Sequence, residues 1–336
     1  MTKGNPRIGM IARMCNSGLG TLSWEFANHL KPHKVLLVEN GLFQTFPERY
    51  KEFNTKEVPA HSTISKEYRD WLFEDTDIIL SIETFYTWGI VPLAKEVGIK
   101  TVLITMLEMT PEIIPAKPDL FICPSLLDYR VISEPKTYLP IPLNAEKLVW
   151  RKRTKAKVFI HPASHGGMSG RKGTNLLLEA MGYVKSDIKL IIYTWKDISS
   201  QNEKVIIKKI NFENYWQIWR EADVLVYPQD YNGICLPVQE AFASGLGIIS
   251  TNIFPFNEYL PHDLLFEPDG FYNTRADSGL LEVEAAKIDP KKIAEKIDEV
   301  ASMDSIEKYS LIGKEWAEEN SWNKLLPKYE KVLKDI

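Results

Sequence analysis

Short unbroken apolar runs recur along the chain, each followed by a polar or glycine-bearing turn and then by a stretch with helical spacing. Residues 7–12 (RIGMIA) read as a buried strand, 14–21 as a glycine loop, 22–30 as a helix and 34–39 (KVLLVE) as the next strand. Strands buried on both faces read as continuous apolar runs, so this order opens a parallel α/β domain. Runs at 78–82, 101–105 and 120–123 continue as strands, 89–97 as a helix, and 137–142 as a last extended piece. Residues 43–71 are charged and aromatic and have no clear period.

The plan then starts again. Residues 158–161 read as a strand, 163–173 as a long loop, 174–182 as a helix and 188–193 as a strand. A short strand at 206–207, a helix at 215–221 and a strand at 222–227 follow, then a helix opened by Pro237 and a strand at 247–250. A short helix at 257–260, a short strand at 264–266 and helices at 290–301, 305–319 and about 323–333 complete the chain. Between the halves lies EKLVWRKRTKAK, residues 146–157, with six cations and no apolar period. It reads as a solvated linker in preference to a nucleic-acid patch. The expected fold class is α/β, with two doubly wound Rossmann-like domains. Residues 1–145 form the first, 146–157 the linker, 158–313 the second and 314–336 the terminal helices. In such open sheets ligands bind at the carboxyl ends of the strands, and two facing domains leave a cleft.

Composition narrows this picture only slightly. A length of 336 residues fits two domains, and 44% hydrophobic with 26% charged residues is ordinary for a soluble protein. A net charge of -4 provides no global basic field for nucleic acid. Cys15, Cys123 and Cys235 are far apart and lack zinc spacing, which fits a reducing compartment. The N-terminus lacks the apolar core of a signal peptide, and no run reaches the length of a membrane span. The expectation is a cytoplasmic protein.

Candidate chemistry concentrates in residues 227–246, YPQDYNGICLPVQEAFASGL. A strand ends at Pro228, a polar loop holds Asp230, Asn232 and Gly233, and Pro237 opens a helix that carries Glu240. Proline suits a first helical turn, where its missing N–H would be unpaired anyway. Such a turn aims backbone N–H groups and a positive dipole end at the loop mouth, an arrangement suited to an anion. Glu240, one turn inside, either accepts hydrogen bonds from sugar hydroxyls or merely stabilises a helix start. A second cluster is SGRKG at 169–173, where glycines permit close backbone approach, Lys172 supplies a point charge and Arg171 a fork. The plain alternative is a solvated Arg-Lys turn. Gly18-Leu19-Gly20 is an incomplete dinucleotide pattern, since Ser23 stands where a third glycine belongs. Glu83 and Glu108 each follow a strand end. His61, His161 and His165 read as structural or solvent-facing, and Trp216, Trp219, Tyr215 and Ile218 as core at helical spacing.

The 232–240 segment, Asn-Gly-Ile-Cys-Leu-Pro-Val-Gln-Glu, resembles the donor signature of two-domain retaining glycosyltransferases of family four. Their pattern reads Glu-Gly-Phe-Gly-Leu-Pro, two residues, then a second Glu. The second Glu is kept as Glu240 and the first is replaced by Asn232. The strand and Lys-Gly loop at 158–173, Glu221-Ala222-Asp223-Val224 and Ser321-Trp322 extend the resemblance in order. It implies a GT-B fold whose terminal helix crosses back to the first domain, and sugar transfer from a nucleotide-diphosphate sugar without a cofactor or metal. It also implies that Lys172 and Arg171 meet the diphosphate, Glu240 the ribose, and the N–H groups of Gly233, Ile234 and Cys235, beside Leu236, the sugar and phosphate. Gly18 and Gly20 would lie against the phosphates. An early Arg of the family is missing here, and Arg171 or His165 stands in for it. Asn232, Glu83 and Glu108 are the candidates at the reacting sugar or the acceptor hydroxyl. The acceptor is undetermined: saccharide, lipid, small molecule, or a hydroxylated nucleobase in DNA. A nucleotide-sugar epimerase of the same architecture and a nucleotide-binding module without turnover remain open, and a nicotinamide dehydrogenase fits least.

Overall fold

The computed structural model describes residues 5–39, 41, 45–59, 63–144, 146–164, 170–209, 215–276, 279 and 281–336. The chain divides into two units, residues 1–142 with 322–336, and residues 143–321.

The first unit runs β1 (Ile8–Arg13), α1 (Gly18–Leu30), β2 (Lys34–Val38), β3 (Thr55–Val58), α2 (Lys66–Phe73), β4 (Ile78–Glu83), α3 (Ile90–Glu96), β5 (Lys100–Thr105), β6 (Leu120–Cys123), α4 (Leu126–Val131) and β7 (Lys136–Tyr138). Its sheet has the order β3-β2-β1-β4-β5-β6-β7, every pairing parallel. Every residue of β2 and β4 is buried, which their unbroken apolar runs require in a sheet covered on both faces. Helix α1 begins four residues ahead of its apolar stripe, because Ser17 caps it by accepting from the Gly20 N–H at 3.1 Å. Serines 65 and 125 cap α2 and α4 in the same way. Sequence periodicity missed β3, α2 and α4, which are short and only partly buried.

The second unit repeats the plan with β8 (Val158–Ser164), α5 (Thr174–Ala180), β9 (Lys189–Thr194), β10 (Val205–Lys209), β11 (Val224–Tyr227), α6 (Leu236–Ala243), β12 (Gly247–Thr251) and β13 (Leu265–Phe266). The sheet order is β10-β9-β8-β11-β12-β13, again parallel. A two-stranded antiparallel hairpin follows, β14 (Phe271–Arg275) and β15 (Glu282–Ala286), and then α7 (Pro290–Ser302) and α8 (Glu307–Glu319). One face of the sheet packs Trp219, Tyr227, Phe242 and Phe256, and the other packs Phe159, Leu177, Leu190 and Ile293. The predicted helix at 215–221 is a 3-10 turn, Tyr215–Arg220, with Ile218 and Trp219 in the core as their spacing predicts. The final helix, α9 (Trp322–Asp335), belongs to the first unit, whereas residues 314–321 stay with the second. Phe26 of α1 meets the rings of Trp322 and Tyr329 edge-on at 5.0 and 5.1 Å. The Tyr329 hydroxyl donates to the Pro140 carbonyl at 3.0 Å.

Residues 146–157 lie within the second unit and not between the units; Arg151, Lys152, Lys155 and Lys157 are exposed as expected, but Arg153 is 2% exposed. Its guanidinium donates to the carbonyls of Trp219 (2.6 Å), Ala222 (3.2 Å), Arg151 and Ser244. Burial lowers its pKa to about 10. One of the six cations thus gathers four carbonyl groups, two of them (Trp219, Ser244) at helical ends, where unpaired acceptors are costly to bury.

Candidate functional site

In the second sheet the chain winds outward from β8 toward β9 and β10 on one side, and toward β11 to β13 on the other. The carboxyl ends of β8 and β11 therefore flank its topological switch point, where an open sheet leaves room for a ligand. Both sequence motifs arrive there. Beyond β8 the turn 170–173 bears two glycines at positive φ, Gly170 at 99° and Gly173 at 69°. A Cβ on Gly173 would stand 2.1 Å from the Pro228 carbonyl oxygen, so only glycine lets this turn lie against the end of β11. The Lys172 ammonium donates to the Ala163 carbonyl at 3.2 Å, curling over the end of β8. The Asp230 N–H donates to the Arg171 carbonyl at 3.3 Å, and the Arg171 guanidinium lies 5.4 Å from the Tyr231 ring centroid. The Lys-Gly turn and the signature loop, some sixty residues apart in sequence, are thus one structure.

Beneath them His161 is fully buried, with Nδ1 2.9 Å from the Val226 carbonyl oxygen and Nε2 2.9 Å from the Thr174 hydroxyl. A carbonyl only accepts, so Nδ1 carries the proton and Nε2 accepts from Thr174. Burial pushes the His161 pKa down to about 4. It is a neutral strut joining β8, β11 and the start of α5, in keeping with the structural reading. His165 and His61 lie outside the described residues.

The signature loop departs from expectation in one respect. The Asn232 side-chain amide donates to Gln229 Oε1, and its Oδ1 accepts from the Ile234 N–H at 3.2 Å. The Ile234 N–H, expected to face the sugar and phosphate, is therefore committed within the loop. Asn232 is 9% exposed and acts first as a turn-former, since its short amide mimics a backbone turn. Gly233 is buried, and Cys235 takes a left-handed φ of 57° just ahead of Leu236, the first residue of α6. Pro237 sits in the first turn, as predicted. Glu240, 9% exposed, accepts a 2.6 Å hydrogen bond from the Tyr215 hydroxyl. Sequence spacing assigned Tyr215 to the core. Its phenol tip instead fixes one oxygen of the Glu240 carboxylate, a contact across 25 residues that no local pattern encodes.

The hairpin after β13 was also missed. Alternation in FYNTR and EVEAA around Ser278-Gly279 was the available signal. Its Val283, Ala285 and Ala276 pack on Tyr231, and the Ala286 N–H donates to the Asp230 carbonyl at 2.8 Å.

The first unit has its own switch point, at the carboxyl ends of β1 and β4. Gly20 is sterically forced there, because a Cβ would stand 1.8 Å from the Cys15 carbonyl oxygen, while Gly18 is exposed at the start of α1. Glu83 ends β4 with φ 72°, a left-handed value costly for a residue with a side chain, and is 9% exposed. Arg13, which the sequence reading passed over, donates to the Glu39 carbonyl at 2.8 Å and stacks over the Tyr86 ring at 4.4 Å. Burial raises the Tyr86 phenol above its usual range; Arg13 opposes that rise and Glu83 adds to it. Burial likewise raises the Cys15 thiol, and all three cysteines are free and buried. Glu108 stands in the 3-10 turn Leu107–Met109 after β5, the strand that pairs Thr105 with Glu83.

Among the described residues no helix is long and apolar enough to cross a membrane. Residues 157–302 match the family model for glycosyl transferases group 1. No curated protein matches the chain. Among solved structures, Anabaena Alr3699/HepE in complex with UDP and glucose is similar at a TM-score of 0.71 and 8% identity, over 98% of this chain and 100% of that one. A glycosyltransferase from Rickettsia africae is similar at 0.71 and 13% identity, over 99% of each chain. The apo form of the lipopolysaccharide outer core galactosyltransferase WaaB gives 0.66 at 15% identity, over 97% of this chain and 99% of that one. The chain thus has the GT-B fold of these glycosyltransferase structures, and the stretch that matches the group 1 glycosyl transferases model lies within its second unit.

Proposed function

We propose that this protein transfers a sugar from a nucleotide-diphosphate sugar to an acceptor hydroxyl, with retention of anomeric configuration and without a metal. The observation that carries the reading is the junction at the second switch point, where Gly173 against Pro228 locks the Lys172 turn to the loop leading into Glu240. That junction brings the turn carrying Lys172 and Arg171 against the loop that leads into the helix of Glu240. A departing diphosphate develops negative charge, and fixed cations that meet it lower the barrier.

In this scheme Lys172 and Arg171 stabilise the diphosphate, and Glu240, oriented by Tyr215, accepts from the ribose hydroxyls. The acceptor oxygen bonds to the anomeric carbon on the face from which the phosphate leaves. The bond between that carbon and the phosphate oxygen breaks, and the acceptor proton passes to the departing phosphate oxygen. Glu83 and Glu108 are assigned to the acceptor hydroxyl or the transferring sugar. Asn232 shapes the loop in place of a charged residue, which leaves the donor's sugar open. HepE, crystallised with UDP and glucose, makes UDP-sugars the first donors to try.

The test is thermal stabilisation by a panel of nucleoside diphosphates and their sugars, followed by product analysis. A ligand at 100 times its Kd adds about 2.7 kcal/mol of stability. A shift with one diphosphate, larger with one of its sugars, supports the reading, and proton NMR of the product reads the anomeric configuration. Turnover that persists in excess chelator supports the metal-free scheme. Folded protein that shifts with no nucleotide overturns the proposal, and binding without donor consumption points to the nucleotide-binding module instead.

A further inference from the structure

The hairpin β14–β15 is an isolated two-stranded element, and such a ribbon is marginal in water unless it packs on something. It packs on the signature loop. Tyr272 and Ala285 are cross-strand partners, as are Thr274 and Val283, so these four side chains share one face. Val283 and Ala285, with Ala276 beyond the strand, bury the Tyr231 ring to 8% exposure. The same face brings the Tyr272 hydroxyl to 3.5 Å from Asp230 Oδ2, while the Ala286 N–H holds the Asp230 carbonyl at 2.8 Å. Asp230 in turn donates its N–H to the Arg171 carbonyl, and the Arg171 guanidinium lies within cation–π range of Tyr231 at 5.4 Å. Hairpin, tyrosine and arginine form one chain of contacts.

We infer that Tyr231, braced by this hairpin, is a positioning residue that holds the Arg171 guanidinium toward the diphosphate of the ligand and so sets the preference for diphosphate over monophosphate. The inference rests on the proposed donor site. Its physical basis is that an arginine has many rotamers, and a flat aromatic support removes most of them before the anion arrives. A tyrosine that only filled space would affect every ligand, or none, alike.

The test uses the full chain and the mono- and diphosphates of uridine, guanosine and adenosine, titrated calorimetrically. For the base that binds, Tyr231→Leu is expected to weaken the diphosphate about tenfold and the monophosphate by less than about twofold. Tyr231→Phe, which keeps the ring, stays at the wild-type value. In an Arg171→Ala background Tyr231→Leu has no further effect. Equal weakening of both nucleotides, or losses from the two substitutions that multiply independently, overturns the inference while leaving the donor site standing. If folded wild-type protein binds none of the six nucleotides, the donor-site reading fails. The positioning claim is then decided by NMR without ligand: the Arg171 side-chain signals should carry a ring-current shift that Tyr231→Leu abolishes and Tyr231→Phe retains. Signals unchanged in Tyr231→Leu overturn it.

Discussion

The two units are built on one strand order, and at both switch points the cations rest on backbone carbonyls and aromatic faces; what differs is the carboxylate. At the second, a lysine and an arginine stand on a glycine turn, and the nearby carboxylate, Glu240, is already held by a phenol. At the first, a strained carboxylate, Glu83, stands at the strand end, and the nearby cation, Arg13, is spent on a carbonyl and an aromatic face. The difference teaches that a doubly wound sheet supplies only the location of a site. What is set locally is the backbone under each carboxylate, left-handed at Glu83 and helical at Glu240.

Both loops depend on a glycine that approaches a backbone carbonyl, and that shared feature gives the largest expected effect. Gly173→Ala and Gly20→Ala should each cost about 3–5 kcal/mol, since the added Cβ meets a carbonyl oxygen at 2.1 and 1.8 Å. Gly170→Ala has open space around it and only a positive φ to strain, and should cost about 1 kcal/mol. Denaturant titration ranks the three. Equal losses at Gly170 and Gly173 would remove the steric argument.

His161 distinguishes the second switch point by its pH response. Its folded pKa of about 4 lies below the ordinary 6.5, so the folded state binds fewer protons than the unfolded chain between those values. Its contribution is complete above pH 6.5 and is lost as pH falls toward 4, amounting to about 3 kcal/mol. Stability of wild type and His161→Asn measured across that window should converge as the pH drops. Parallel curves would mean the imidazole does not titrate as its burial demands.

The roles proposed for the two switch points predict different readouts. Lys172→Ala should lower turnover by about 100-fold, comparable to the loss of one charge-stabilising group, and weaken nucleoside diphosphate binding. Glu83→Gln should leave that binding within about twofold while lowering transfer to the acceptor. If Glu83→Gln weakens the nucleotide as much as Lys172→Ala does, the division of labour drawn between the units collapses. The smallest effect is expected at Tyr215→Phe, which removes one hydrogen bond to Glu240. Donor affinity should fall about fivefold, in line with about 1 kcal/mol for such a bond, with the melting temperature little changed.

Much of this was written locally. Buried parallel strands announce themselves as largely apolar runs such as KVLLV and IILSI, because both faces of each are covered and a polar residue there, such as Lys34 or Ser81, needs a carbonyl to bond. The glycine turn at Gly173 and the helix start at Pro237 follow from spacings that a strand, turn and helix impose within a few residues, so they too were legible. The basic run at 146–157 misled for the converse reason. Composition records that Arg153 is charged, but not that four carbonyl oxygens converge on it. Tyr215 beside Glu240, Tyr231 under Arg171, the hairpin on the signature loop and the Ile234 N–H spent on Asn232 were decided by tertiary structure. Each of these is a pairing of polar or aromatic groups, and such a pairing depends on where a side chain's tip arrives in space. Hydrophobic period reports only which face of an element is buried. The sequence by itself determined two wound sheets and their strand ends; packing decided which partner holds each charged group there.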